Sequence, residues 1–150
     1  MADFNVHTHL DIEADASVVW GVVEAFREYD EWNPFMTRVR VDSARGTIDF
    51  VAHVAGREVP ISARVLRLDP GRAIRWRGPR SAVLGAVFHG EHSLEVEPLA
   101  PGRSRFVHAE QFGGLAIAPL WPRLGPELTR AYASMNEALR ARAERLPRNE

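Results

Sequence analysis

Apolar and polar residues alternate along positions 4–12, with Phe4, Val6, Thr8, Leu10 and Ile12 on one side and Asn5, His7, His9 and Asp11 on the other. That period of two predicts a half-buried β-strand. From Ala16 the spacing changes, and Val18, Val19, Val22, Val23 and Phe26 fall on one helical face, with Asp15 or Ser17 available as the N-cap. This helical segment should end near Tyr29 to Trp32, because Pro34 forbids its continuation and biases Asn33 toward extended or turn geometry. Six further strands are expected over 36–42, 47–55, 58–68, 72–78, 86–97 and 104–112, divided by Gly- and Pro-containing turn signals. Short separations between them favour antiparallel hairpins. After Pro126 the apolar positions Leu128, Ala131, Met135, Ala138 or Leu139, and Leu146 recur at helical steps, while Arg130, Glu137, Arg140 and Glu144 take the opposite face. One long amphipathic helix follows the sheet, and residues 147–150 read as a frayed tail.

The order strand, short helical segment, six strands, long helix belongs to the α+β class. A seven-stranded antiparallel sheet must cover its apolar face, and the C-terminal helix carries a stripe of suitable length. If the sheet curls around that helix, the enclosed volume is an internal cavity suited to a small molecule. The chain has 150 residues, enough for one domain over 1–150 with a substantial core. Its 19 basic and 20 acidic side chains nearly balance, which disfavours an electrostatic nucleic-acid binder. The absence of cysteine excludes disulfides, thiolate catalysis and Cys-ligated metal sites. The first fifteen residues lack a basic start followed by a long apolar run, so a cytoplasmic location is expected. Charge or proline interrupts every apolar run before the roughly 20 residues of a membrane span.

Several local strings resemble the SRPBCC superfamily (START-related, polyketide cyclase/dehydrase and pollen-allergen-like). They are Ala14, Val19 and Trp20 opening the first helix; Tyr29, Trp32, Asn33, Pro34 and Phe35 at its end; and the hairpin from Gly90, Glu91, His92, Ser93 and Leu94 to Phe106, Val107, His108, Ala109 and Glu110. Phe112, Gly113, Gly114 and Leu115 then lead to the final helix, where Met135, Asn136, Glu137, Ala138 and Leu139 also fit. The resemblance covers nearly the whole chain. It implies a helix-grip fold, a curved sheet wrapped around the C-terminal helix, and a cavity for a lipophilic ligand. It does not select a reaction, since only some of these proteins are enzymes.

The hairpin over 87–112 carries the most chemistry. Phe88, Gly90, His92, Leu94 and Val96 share one parity, and Phe106, His108, Glu110 and Phe112 share another; both sets are apolar apart from His92, His108 and Glu110, so if they face inward, titratable groups enter an otherwise apolar space. A turn around 98–102 that sets Val96 opposite Phe106 sets Leu94 opposite His108 and His92 opposite Glu110. Such a pair satisfies two polar groups in the wall, anchors a ligand, or orients an imidazole for acid–base work. His92, His108 and Glu110 are accordingly the catalytic candidates. Trp76 reads as an aromatic wall, with Arg75 and Arg77 either near a mouth suited to an acidic ligand head or simply solvated. Trp32 and Phe35 form one rim or staple the helix to the sheet. The segment 113–121 combines glycines with apolar side chains, as in a gate, a self-association patch or a buried connection. The expected ligand-contacting set is Trp32, Phe35, Arg75, Trp76, Phe88, His92, His108, Glu110, Phe112, Leu115, Trp121 and Met135.

His7 and His9 point the same way on a strand, but on the polar side and without a third ligand, so no metal is expected. Neither GxGxxG, GxxxxGK[ST] nor GxSxG occurs, and no cofactor is expected. The leading expectation is a monomeric or homodimeric binder of a small hydrophobic ligand. The alternatives are a metal-free cyclase, aromatase or dehydratase, and an interaction module that docks through 113–121.

Overall fold

The computed structural model describes residues 4–146 and arranges seven strands in a single antiparallel sheet. The strands are β1 (Asn5–Ile12), β2 (Met36–Asp42), β3 (Thr47–Val54), β4 (Arg57–Asp69), β5 (Ala73–Gly78), β6 (His89–Ala100) and β7 (Arg103–Gly113). Strands β2 to β7 form a meander, and β1 closes on β7, giving the order β1-β7-β6-β5-β4-β3-β2. The helices are α1 (Ala16–Glu24), α2 (Tyr29–Trp32), α3 (Ala82–Val87) and α4 (Ile117–Arg145). Alternation assigns Val6, Ile12, Ile48, Phe50, Ile74, Trp76, Leu94, Val96 and Phe106 to the buried inner face, against which α4 and α1 pack. Each fully buried large apolar side chain contributes about 1.5–3 kcal/mol relative to its exposed state.

Three elements differ from the sequence reading. The first helix is not continuous to Trp32: Ala25 leaves helical geometry at φ −80°, ψ 62°, and a 3₁₀ turn over Phe26–Glu28 separates α1 from α2. The break turns Tyr29 inward, where it is fully buried and its hydroxyl donates to the Val23 carbonyl at 2.5 Å. Residues 86–88 do not open a strand, because Ser81 caps the short α3 by accepting from the Leu84 amide at 3.3 Å. The long helix begins at Ile117, well before Pro126, and ends before Leu146. Pro119 occupies its first turn, where no amide donor is needed. Pro122 and Pro126 lie inside it and each remove one backbone bond, yet Ile117, Trp121, Leu124 and Leu128 continue the stripe onto the sheet. Apolar burial outweighs the lost bonds. The tail expected over 147–150 lies outside the described residues.

Asp15 stands at the N-cap position of α1, but its carboxylate accepts from the Gly102 amide at 2.6 Å instead of from the helix. Gly102 has φ +75° in the β6–β7 turn, so this contact pins the hairpin end to the start of α1. Ser104 adds a second tie, donating to the Ala14 carbonyl at 2.9 Å.

Candidate functional site

The β6–β7 register pairs Val96 with Phe106, Leu94 with His108 and His92 with Glu110, and β1 adds Val6 beside Glu110 and Thr8 beside His108. His92 and Glu110 therefore meet across the ladder, with Nδ1 3.0 Å from Oε1. His92 also reaches diagonally, and its Nε2 lies 2.7 Å from Nε2 of His108. The other nitrogen of His108, Nδ1, is 2.9 Å from Asn136 Oδ1 on α4. Asn136 Nδ2 donates to Thr8 Oγ1 at 2.8 Å, and the Thr8 hydroxyl donates to the His108 carbonyl at 2.8 Å. At the other end the Tyr132 hydroxyl donates to Glu110 Oε1 in a short contact. Six residues from β1, β6, β7 and α4 thus form one continuous polar chain.

Rings enclose it. His92 stacks on Trp76 with centroids 4.5 Å apart and planes 8° from parallel. His108 stacks on Tyr132 at 4.2 Å and 12°, and Phe35 meets the Tyr132 edge at 5.0 Å. Trp76, His92, His108, Tyr132 and Met135 are all essentially inaccessible to solvent. At this level the volume expected for a ligand is filled by the side chains themselves. Three surface clefts, of about 440, 580 and 460 Å³, are present; the first is lined by Glu110 and Arg75 among others, and none is lined by His92, His108, Tyr132 or Trp76.

Burial holds the His108 imidazole well below its ordinary value; the neighbouring His92 pushes the same way, and the Asn136 bond opposes them. Burial likewise raises the Tyr132 hydroxyl well above the usual phenol range, reinforced by the charge of Glu110 and the bond to it. Both groups are therefore neutral at pH 7. The Glu110 side chain is 14% exposed, and its Oε2 takes no hydrogen bond from the described residues. Gly90 leaves room for that oxygen, since a β-carbon there would overlap Oε2 and lie 3.2 Å from the Phe112 ring.

The other residues singled out from the sequence divide by location. Phe112 packs between Phe88, at 5.8 Å, and Trp121, at 5.5 Å, so these three rings form a cluster beyond Glu110. Trp32 packs on Tyr29 at 5.1 Å, and its Nε1 is a buried donor without an acceptor among the described residues, as is Nδ2 of Asn33. Arg75 is on the outer face beside Ser93, 3.9 Å from Glu95, and does not approach the interior group. Leu115 is 86% exposed and contacts nothing in the site. His7 and His9 project from the outer face, and among the described residues no cluster of three or more His, Asp or Glu side chains has metal-binding proximity. The sequence reading missed Tyr132, Asn136 and Thr8. Tyr132 and Asn136 are four residues apart on the buried stripe of α4, and a polar Asn between Met135 and Leu139 was the available signal.

Among the described residues no helix is long and apolar enough to cross a membrane. A comparison with curated proteins finds none that matches. Among solved structures, the Zhui aromatase/cyclase from Streptomyces sp. R1128 is similar with a TM-score of 0.79 and 21% identity, over 96% of this chain and 95% of that one. A START superfamily protein from Mycobacterium smegmatis gives 0.73 and 18%, over 97% and 100%. Norcoclaurine synthase from Thalictrum flavum, in complex with dopamine and hydroxybenzaldehyde, gives 0.70 and 13%, over 98% and 90%. These likenesses show the helix-grip fold. The family model described as polyketide cyclase / dehydrase and lipid transport matches residues 3–144, and the chain belongs to that family.

Proposed function

We propose that this chain is a single ligand-binding domain that takes a small hydrophobic molecule, lipid-like or polyketide-like, between the inner face of the sheet and α4. The polar end of the ligand is held at Glu110, which His92 and Tyr132 fix in place. The observation that carries this reading is the continuous polar chain from Thr8 to Glu110 through an interior otherwise built of apolar and aromatic side chains. Stability alone does not call for such a chain, because well-packed apolar residues of similar volume serve as well or better. A few convergent polar groups in apolar surroundings are what orients a lipophile. The family's description, which joins cyclase and dehydrase chemistry to lipid transport, supports the same ligand class. The body of the ligand lies toward Phe88, Phe112 and Trp121, displacing some of their contacts, because the rings around His92 and His108 leave no room. Burial supplies roughly 25 cal/mol per Å² of apolar area before the costs of association.

Native mass spectrometry of freshly purified protein, with extraction of whatever is retained, tests this reading. A lipophile recovered unchanged after incubation supports binding; protein that takes up none of a panel of lipophiles contradicts it. A second reading, a metal-free cyclase, aromatase or dehydratase, draws on the His92–Glu110 contact, which suits an oriented acid–base imidazole. Recovery of a processed molecule in the same experiment favours that reading.

A further inference from the structure

The buried chain of hydrogen bonds has a direction. The Thr8 hydroxyl spends its hydrogen on the His108 carbonyl, so its oxygen accepts from Asn136 Nδ2. The Asn136 amide consequently turns Oδ1 toward His108 Nδ1, and an amide oxygen only accepts. His108 is therefore protonated on Nδ1, and its Nε2 offers a lone pair to His92. Two lone pairs 2.7 Å apart repel, so His92 carries a proton on Nε2. His92 Nδ1 then faces Glu110 Oε1 at 3.0 Å, an attractive contact only when one proton lies between them, on the ring or on the carboxyl. Tyr132 donates to the same Oε1. In both positions of the shared proton Oε2 carries no hydrogen, and it lies over Gly90 beside the Phe112 ring.

We infer that Asn136 and Thr8 are positioning residues that set the tautomers of both histidines and so keep Glu110 Oε2 as an acceptor, selecting lipophiles whose polar end is an O–H or N–H donor. A phenol, enol or alcohol fits; an ether or ketone lacks the hydrogen, and an anionic carboxylate is repelled. The inference rests on the ligand-binding reading above and adds the chemistry of the ligand's polar end. Asn136 and Thr8 act only through His108 and His92, since neither hydrogen-bonds to Glu110.

The test uses 2-naphthol and its methyl ether, 2-methoxynaphthalene, titrated into the full chain at neutral pH. Imidazole ¹⁵N spectra are recorded on the same protein without probe. Naphthol is expected to bind roughly tenfold tighter or more, as for a hydrogen bond to a charged or partly charged acceptor, with the ratio falling toward one in Glu110→Gln. The spectra are expected to show His108 protonated on Nδ1 and His92 on Nε2. Asn136→Leu should lose that preference at His108, and Asn136→Asp, which keeps an acceptor beside Nδ1, should restore it. Equal binding of the two probes overturns the acceptor role and leaves ligand binding intact. Binding of neither overturns the ligand-binding reading and the acceptor role together. A His108 protonated on Nε2 in the parent protein overturns the positioning role whatever the probes do.

Discussion

His92 and Glu110 meet across the β6–β7 ladder at 3.0 Å while the His92 ring lies flat on Trp76, so one side chain joins the polar chain of the interior to its aromatic wall. Removing either member strands the atom of the other that faced it, whereas removing both leaves only His108 Nε2 and the Tyr132 hydroxyl without these partners, each of which one of the single removals already strands. A double-mutant cycle with His92→Leu and Glu110→Leu should therefore give a coupling of about 1–3 kcal/mol in denaturant unfolding, with the double variant more stable than the sum of the single losses implies. Additive losses would show that the contact contributes nothing specific.

Acid should destabilise the fold through His108. Its folded value lies well below 6.5, so as pH falls through 6.5 the unfolded chain takes up a proton that the folded chain refuses. Stability is fully present above that point and then declines by up to about 1.4 kcal/mol per pH unit until the folded value is reached. Urea midpoints compared between pH 7 and pH 5 measure the slope, and His108→Gln should flatten it. The carboxyl of Asp11, held low first by its hydrogen bond from Arg105, loses its contribution only below its ordinary 3.8, outside this window.

Gly90 is required by what lies above it. A methyl there would overlap Glu110 Oε2, so Gly90→Ala should displace the carboxylate and cost about 1–3 kcal/mol, the range for overpacking. In a Glu110→Ala background the same substitution should cost markedly less. An equal cost in both backgrounds would place the strain elsewhere.

The exposed apolar residues around α3 and the start of α4 bear on self-association. Val83 is 78%, Leu84 60% and Leu115 86% exposed, and backbone bonds from Leu115 to the Ala86 carbonyl and from Ala116 to the Val87 carbonyl hold the two segments together. Leu84→Ser with Leu115→Ser should change stability by less than about 0.5 kcal/mol, as surface substitutions do. If this patch joins two copies, sedimentation will show a dimer in the parent and a monomer in the double variant. An unchanged sedimentation coefficient removes the docking role of the patch.

The sheet was legible in the sequence because turn residues and period-two alternation specify register strongly when one face is buried, and the His92–Glu110 pairing followed from that register alone. The diagonal contact to His108 was not, because it depends on side-chain directions within the ladder. Tyr132 and Asn136 come from a helix more than twenty residues away, and no local pattern states which sheet position a helix residue meets. Pro122 and Pro126 hid the first turns of α4, since local propensity argues against helix where tertiary burial of Ile117 and Leu128 imposes it. Arg75 shows the converse: strand parity alone puts it opposite Trp76, on the outer face.

The central claim, a ligand site inside the sheet at Glu110 and His92, is tested most directly by following the six histidines and Tyr132 by NMR while 2-naphthol is titrated into the protein. Saturable shifts at His92, His108 and Tyr132, with His7 and His9 on the outer face unchanged, are the predicted result. Shifts confined to His7, His9 or the other surface histidines, or no saturation at any ring, would contradict it.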